Sequence, residues 1–219
     1  MPRPRELAGR SIDVVLGPFS ADRLTRRGSP DGRRRVALTF DDGPSVDTTP
    51  QIIELLEENG ARGTFFVVGE LIDGSEDVVE RVVQGGHELG NHSYSHPHTT
   101  YLSRSEVRAE IVATTQAIGR YSSDVRFVRP PYGKDRRRFV SLADELGLRV
   151  ALWSVDSGDA SGYEVDEIVA AVDRVGSGDI VLFHDRGERA SNTIEACRRV
   201  IPSLREAGFE LVTLTELCG

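Results

Sequence analysis

The chain of 219 residues holds only two cysteines, one methionine, one tryptophan and a single lysine, Lys134. Cys197 and Cys218 stand far apart and follow no CxxC or metal-ligand spacing, which excludes a disulfide scaffold and a thiolate metal centre and leaves structural thiols in helical segments. No apolar run approaches the ~18 residues that a membrane helix needs, so no transmembrane segment is expected. A net positive charge is also missing: the formal charge is -8 and the pI about 5.2, which argues against a nucleic-acid partner. With lysine almost absent, arginine is the default cation, and its abundance alone carries no argument. The stretch Met1 to Arg35 is rich in Arg and Pro but lacks the apolar core and small-residue cleavage site of a secretory signal, so a cytoplasmic location is expected.

What is present looks like one ordinary globular domain, 38% hydrophobic and 28% charged, with no repeat, low-complexity segment or interdomain linker. Strand-like runs lie at 36–40, 63–68, 87–90, 127–129, 148–153, 180–183 and 209–213. Helical patterns fill the intervals: 48–59, 75–84, 103–121, 136–146, 163–175 and 193–207. The best of them opens on a capping box, Ser103 to Glu106, and places Val107, Ile111, Thr114 and Ile118 on one face. Repeated strand-helix alternation implies parallel strands joined by right-handed crossovers, hence a barrel or an open doubly wound sheet.

The chemically distinctive residues fall at one kind of place, the C-terminal ends of strands. Asp41 and Asp42 end the first strand where Gly43-Pro44 stops it; side chains alternate along a strand, so the two carboxylates should point apart and hold separate jobs, metal binding and proton transfer. His92 and His96 follow the third strand at a spacing that puts both imidazoles on one side of a helical turn. Two His and one Asp make three ligands and leave positions open for water and substrate. Arg129 ends the fourth strand before two prolines, Asp156 follows the fifth, and His184 follows the apolar run Ile180 to Phe183, where an ionisable ring needs a partner. His87 and His98 lack such support and read as structural or exposed. In a parallel barrel these strand ends meet at one mouth.

In this order the segments resemble the polysaccharide deacetylase family, carbohydrate esterase family 4 with its NodB-homology domain. Thr39 to Gly43 match its first motif, His92 to His96 its second, Arg129 to Gly133 its third, Asp156 to Asp159 most of its fourth and Leu182 to His184 its fifth. The resemblance implies a distorted, TIM-like (β/α) barrel of about seven parallel strands over 36–219, with 1–35 as an N-terminal extension of unclear structure. It implies metal-dependent removal of an N-acetyl group from a sugar. Asp42, His92 and His96 would hold one divalent ion, zinc first, with cobalt, nickel, manganese or iron as alternatives. Asp41 would be the base, paired with Arg129; His184 the acid, oriented by Asp156; the Tyr132 amide would face the oxyanion and Leu182 would line the acyl pocket.

One departure concerns substrate. The family's fourth motif closes with Asp-Trp, whereas Asp159 is followed by Ala160, which implies a wider acyl pocket or a different acyl group. The missing export signal, with Lys134, Arg136, Arg137, Arg138, Arg186 and Arg189 near the mouth, suggests an anionic substrate such as a nucleotide-linked or lipid-linked N-acyl sugar. The rival readings are a deformylase or cyclic-amide hydrolase on the same scaffold, and a non-catalytic sugar-binding relative.

Overall fold

A computed structural model describes residues 24–28 and 32–219; most of the expected N-terminal extension lies outside the described residues. The fold is built on strand β2 (Arg35–Asp41), whose residues from Val36 onward are buried on both faces, as the run Val-Ala-Leu-Thr-Phe requires. It pairs in parallel with β3 (Gly63–Val67) on one side and β8 (Ile180–His184) on the other. Beyond β3 follow β4 (Glu88–Asn91), β5 (Phe127–Val128), β6 (Arg149–Ala151) and β1 (Leu24–Thr25); beyond β8 lies β7 (Val155–Asp156). The two-residue β9 (Glu210–Leu211) pairs only with the start of β2, at Arg35 and Val36.

Every strand pairing is parallel, and no pairing joins β7 to β1 among the described residues, so the sheet curls into a TIM-like half-barrel without closing. Nine strands replace the seven expected. Two of the additions are very short, and β1 begins within the segment read as an extension.

Helices α1 (Thr49–Glu58), α2 (Glu76–Gln84), α3 (Arg104–Ile118), α4 (Arg136–Glu145), α5 (Val165–Val172), α6 (Ala190–Glu206) and α7 (Leu214–Cys218) cover the sheet. α3 buries Val107, Ile111, Thr114 and Ile118, and Ser103 and Glu106 form its capping box. Phe40 stacks between Phe65 and Phe183, with ring centroids 5.0 and 5.7 Å away, and locks β2 to its two neighbours. Thr213, expected to end a strand, instead caps α7 through its side chain and Glu216.

Both cysteines are free, Cys197 in α6 and Cys218 in α7. Burial raises both thiols, Cys218 to about 11, which keeps them inert. His87 is buried, its Nδ1 accepts a hydrogen bond from the Gly63 amide at 3.1 Å, and burial pushes its pKa down to about 4, so it is a neutral structural group.

Candidate metal and acid-base site

Asp41 is the last residue of β2 and Asp42 lies just past it, with φ 76°. That left-handed backbone, rare outside glycine, turns Asp42 back over the strand end. The two carboxylates therefore converge instead of pointing apart: His92 Nε2 lies 3.5 Å from Asp41 Oδ2 and 3.4 Å from Asp42 Oδ1. His96 Nε2 is 3.2 Å from the same Asp42 oxygen. Gly43 follows because a Cβ there would lie 2.3 Å from the carboxylate of buried Asp185.

The donor atoms of Asp42, His92 and His96 all lie within 4.8 Å of one another, the single such group of His, Cys, Asp and Glu among the described residues. Its chemistry fits a cation. His92 Nδ1 is 2.8 Å from the carbonyl oxygen of Arg129, which can only accept, so Nδ1 carries the hydrogen and the Nε2 lone pair faces two carboxylates. A lone pair against anionic oxygens repels unless a positive charge stands between them. Burial opposes charge on His92, but Asp41 and then Asp42 outweigh it and raise its pKa. Burial also opposes charge on Asp42, yet His92 and His96 pull it down to about 2. His96, lowered by burial and by His92, stays neutral and available as a donor.

Arg129 is fully buried behind Asp41 and donates to its Oδ1 at 2.6 Å. The same guanidinium donates to Thr39 Oγ1 at 2.9 Å and to the carbonyls of Ala151 and Leu152 at 3.1 and 3.3 Å, while the Phe66 ring lies 4.0 Å away. Four acceptors and a ring face replace its hydration, which is the condition for burying a charge. Asp41 Oδ1 is thereby committed, and Oδ2 is left toward the site.

On the far side, His184 ends β8, and its partner is Asp159, not Asp156. Asp159 Oδ1 lies 2.8 Å from His184 Nδ1, its Oδ2 accepts from the His184 amide at 2.7 Å, and Thr193 donates to Oδ2 at 2.9 Å. Burial would lower the His184 pKa, but the hydrogen bond and charge of Asp159, with Asp41 and Asp42 behind, push it up to about 9. Asp156 accepts from the Gly158 amide at 2.9 Å and so shapes the turn that delivers Asp159. Both acids are visible in the sequence; which one faces His184 depends on the left-handed Gly158 between them, φ 77°.

Asn91 and Glu110 escaped the sequence reading. Asn91, fully buried, donates to Ile111 O at 2.7 Å and accepts from the Ser93 amide at 2.9 Å, fixing the turn after β4. Glu110 on α3 accepts from the amides of Tyr94 and Ser95, both at 2.8 Å, and so clamps the loop that carries His96. Neither residue carried a motif signal.

Tyr132 takes a left-handed φ of 59°; Pro130 and Pro131 have no N–H, so its amide is the first donor after Arg129. Leu182 is buried two residues before His184 on the same face of β8. Beside His184 opens a cavity of about 320 Å³ lined by Asp42, Asp159, Ala160, His184, Arg186 and Arg189, among others. Half of the expected cationic rim is committed elsewhere: Arg136 donates to Gly133 O at 2.8 Å, and Arg138 to the carbonyls of Thr99 and Leu102 at 3.2 and 2.5 Å.

Residues 28–151 match the family model described as polysaccharide deacetylase. A peptidoglycan-N-acetylglucosamine deacetylase of Bacillus cereus is 34% identical over 191 residues, covering 86% of this chain and 90% of its own. A chitooligosaccharide deacetylase of Bradyrhizobium sp. is 34% identical over 204 residues, 87% of this chain and 93% of the relative. The solved structure of BA3943 from Bacillus anthracis, a CE4-family pseudoenzyme, superposes with a TM-score of 0.81 at 31% identity, over 90% of this chain and 69% of that one. On these matches and on the half-barrel fold they share, the chain belongs to the polysaccharide deacetylase family.

Proposed function

We propose that the protein is a metal-dependent hydrolase that removes the N-acetyl group from an N-acetylated sugar. The observation that carries this reading is the joining of three parts at one mouth: the Asp42, His92 and His96 group, the Asp41–Arg129 pair, and the His184–Asp159 pair. A divalent ion held by the first, zinc by preference for two imidazoles and a carboxylate, supplies Lewis acidity toward the acyl carbonyl and toward water. Asp41, kept ionised and aimed by Arg129, takes a proton from the attacking water through Oδ2. The Tyr132 amide donates to the developing oxyanion.

His184, held protonated through Nδ1 by Asp159, gives the proton on Nε2 to the leaving nitrogen as the C–N bond breaks, releasing acetate and a free amine. Leu182 packs against the acyl methyl. Because the family includes a pseudoenzyme, membership alone does not establish activity; the base and the acid, each present with its partner, support it here.

A second reading, a nucleotide-linked or lipid-linked N-acyl sugar met in the cytoplasm, draws on Arg186 and Arg189 at the cavity beside His184 and on the small Ala160 in its wall. The deciding experiment is a deacylation screen of zinc-loaded protein against free, nucleotide-linked, lipid-linked and polymeric N-acetyl sugars, with acetate and formate both assayed. Acetate release that Asp41→Asn abolishes is the expected result. Formate release alone, or no product from any arm, would overturn it.

A further inference from the structure

Four large apolar side chains are exposed among the described residues: Val46 at 57%, Tyr94 at 36%, Tyr101 at 87% and Tyr132 at 49%. All four lie on loops that leave the C-terminal strand ends: Val46 after β2, Tyr94 and Tyr101 between β4 and α3, Tyr132 after β5. Exposed apolar groups scattered singly need no account, but these gather around one mouth.

Two of them belong to a continuous aromatic strip. The Tyr132 ring lies 4.7 Å from that of His96, His98 stacks flat on Tyr132 at 4.3 Å with 7° between planes, and Tyr101 meets His98 edge-on at 6.2 Å. The strip thus runs from a candidate metal ligand outward to Tyr101, the most exposed ring. It is built to hold its shape. Tyr132 sits in a strained left-handed conformation, Thr99 is buried, and Arg138 grips the carbonyls of Thr99 and Leu102 on either side of Tyr101. An exposed ring held rigidly is prepared to cover an apolar surface at little entropic cost. A pyranose ring offers that surface, C–H faces bounded by polar edges, whereas a lone acetamido sugar at the metal group would leave Tyr101 uncovered.

We infer that His98 and Tyr101 form a subsite for a further sugar ring of the same substrate, so that the molecule acted on is a chain of linked N-acetylhexosamine units. This rests on the deacetylase reading and narrows its substrate class. Soluble chito-oligosaccharides and peptidoglycan glycan strands share the chemistry, and parallel arms of the test separate them.

The test is steady-state deacetylation of N-acetylglucosamine oligomers from one to four units, and of peptidoglycan strands, by wild-type, Tyr101→Ala and His98→Ala proteins. In the wild type kcat/KM should climb with length; Tyr101→Ala should cut the tetramer value about tenfold, mainly through KM, and flatten the climb. An unchanged tetramer-to-monomer ratio in both variants would overturn the subsite while leaving the deacetylase reading intact. Calorimetric binding of the tetramer to zinc-loaded Asp41→Asn protein covers the opposite case. Binding weakened about tenfold by adding Tyr101→Ala supports the subsite even where no acetate is released, and binding indifferent to Tyr101 counts against it.

Discussion

Asp159 holds His184 at two points at once, accepting from its backbone amide through one carboxylate oxygen and from Nδ1 through the other. Ring and strand end are therefore fixed by the same side chain, and the raised pKa of about 9 is a property of the pair. A general acid works while protonated, so the alkaline limb of the pH profile reports this group. Asp159→Asn should move that limb of kcat down by at least about one pH unit, toward the ordinary His value, and reduce kcat at pH 8 about a hundredfold. Asp156→Asn should leave the limb near its original position; the reverse ranking would restore Asp156 as the orienting acid.

Chelation should abolish activity and readdition of zinc should restore it, while the apo protein stays folded around its Phe40, Phe65 and Phe183 stack. Zinc should raise the melting temperature in proportion to RT ln(1 + [Zn]/Kd). His92→Ala or His96→Ala should remove most of that rise, read by differential scanning fluorimetry. A full zinc-induced rise in either variant would relocate the ion.

Asp41→Asn should cost stability as well as catalysis. It leaves the fully buried Arg129 cation without its anion, a loss of about 3 kcal/mol or more by analogy with broken buried pairs. Arg129→Lys should also destabilise, because one ammonium cannot serve Asp41, Thr39, Ala151 and Leu152 together. Urea unfolding of each variant decides this.

Asp185 supplies a pH dependence of the opposite kind from most carboxylates. Burial, and after it the charges of Asp42 and Asp41, push its pKa up to about 7, although Thr49 donates to it. A raised folded-state pKa gives stability that is complete below the ordinary Asp value of about 4 and is lost as pH rises through 7. The apo protein should therefore lose stability between pH 4 and 7 from this group, and Asp185→Asn should flatten that part of the curve.

Gly43→Ala places a Cβ against the Asp185 carboxylate, so the turn that carries Asp42 has to shift. We expect zinc affinity to fall at least about tenfold in Gly43→Ala and to recover in part when Asp185→Ala opens the space, measured by competition with a chromogenic chelator.

Periodicity made the elements legible. The helix from Ser103 and the strand before Asp41 appear as their patterns demand, because a 15-residue amphipathic face and a fully apolar run each have one stable burial. Motif order brought together Asp42, His92, His96, Arg129 and His184. What escaped depends on single dihedral angles or on partners remote in sequence. The φ of Asp42 decides that two neighbouring acids converge, Gly158 decides which acid reaches His184, and Glu110 meets the His96 loop from a helix surface where any acid looks alike. Two-residue strands such as β1 and β7 carry too little pattern to announce themselves.

The segment from Pro97 to Leu102 is moored at one end by Glu110, through Tyr94 and Ser95, and at the other by Arg138, through Thr99 and Leu102. Neither mooring touches the base, the acid or Arg129. Such a segment behaves as an interchangeable cartridge: its length and rings can be exchanged while the hydrolytic machinery keeps its coordinates. Grafting the corresponding loop from a relative with a different glycan, with Glu110 and Arg138 kept, is the shortest engineering route to a changed substrate reach.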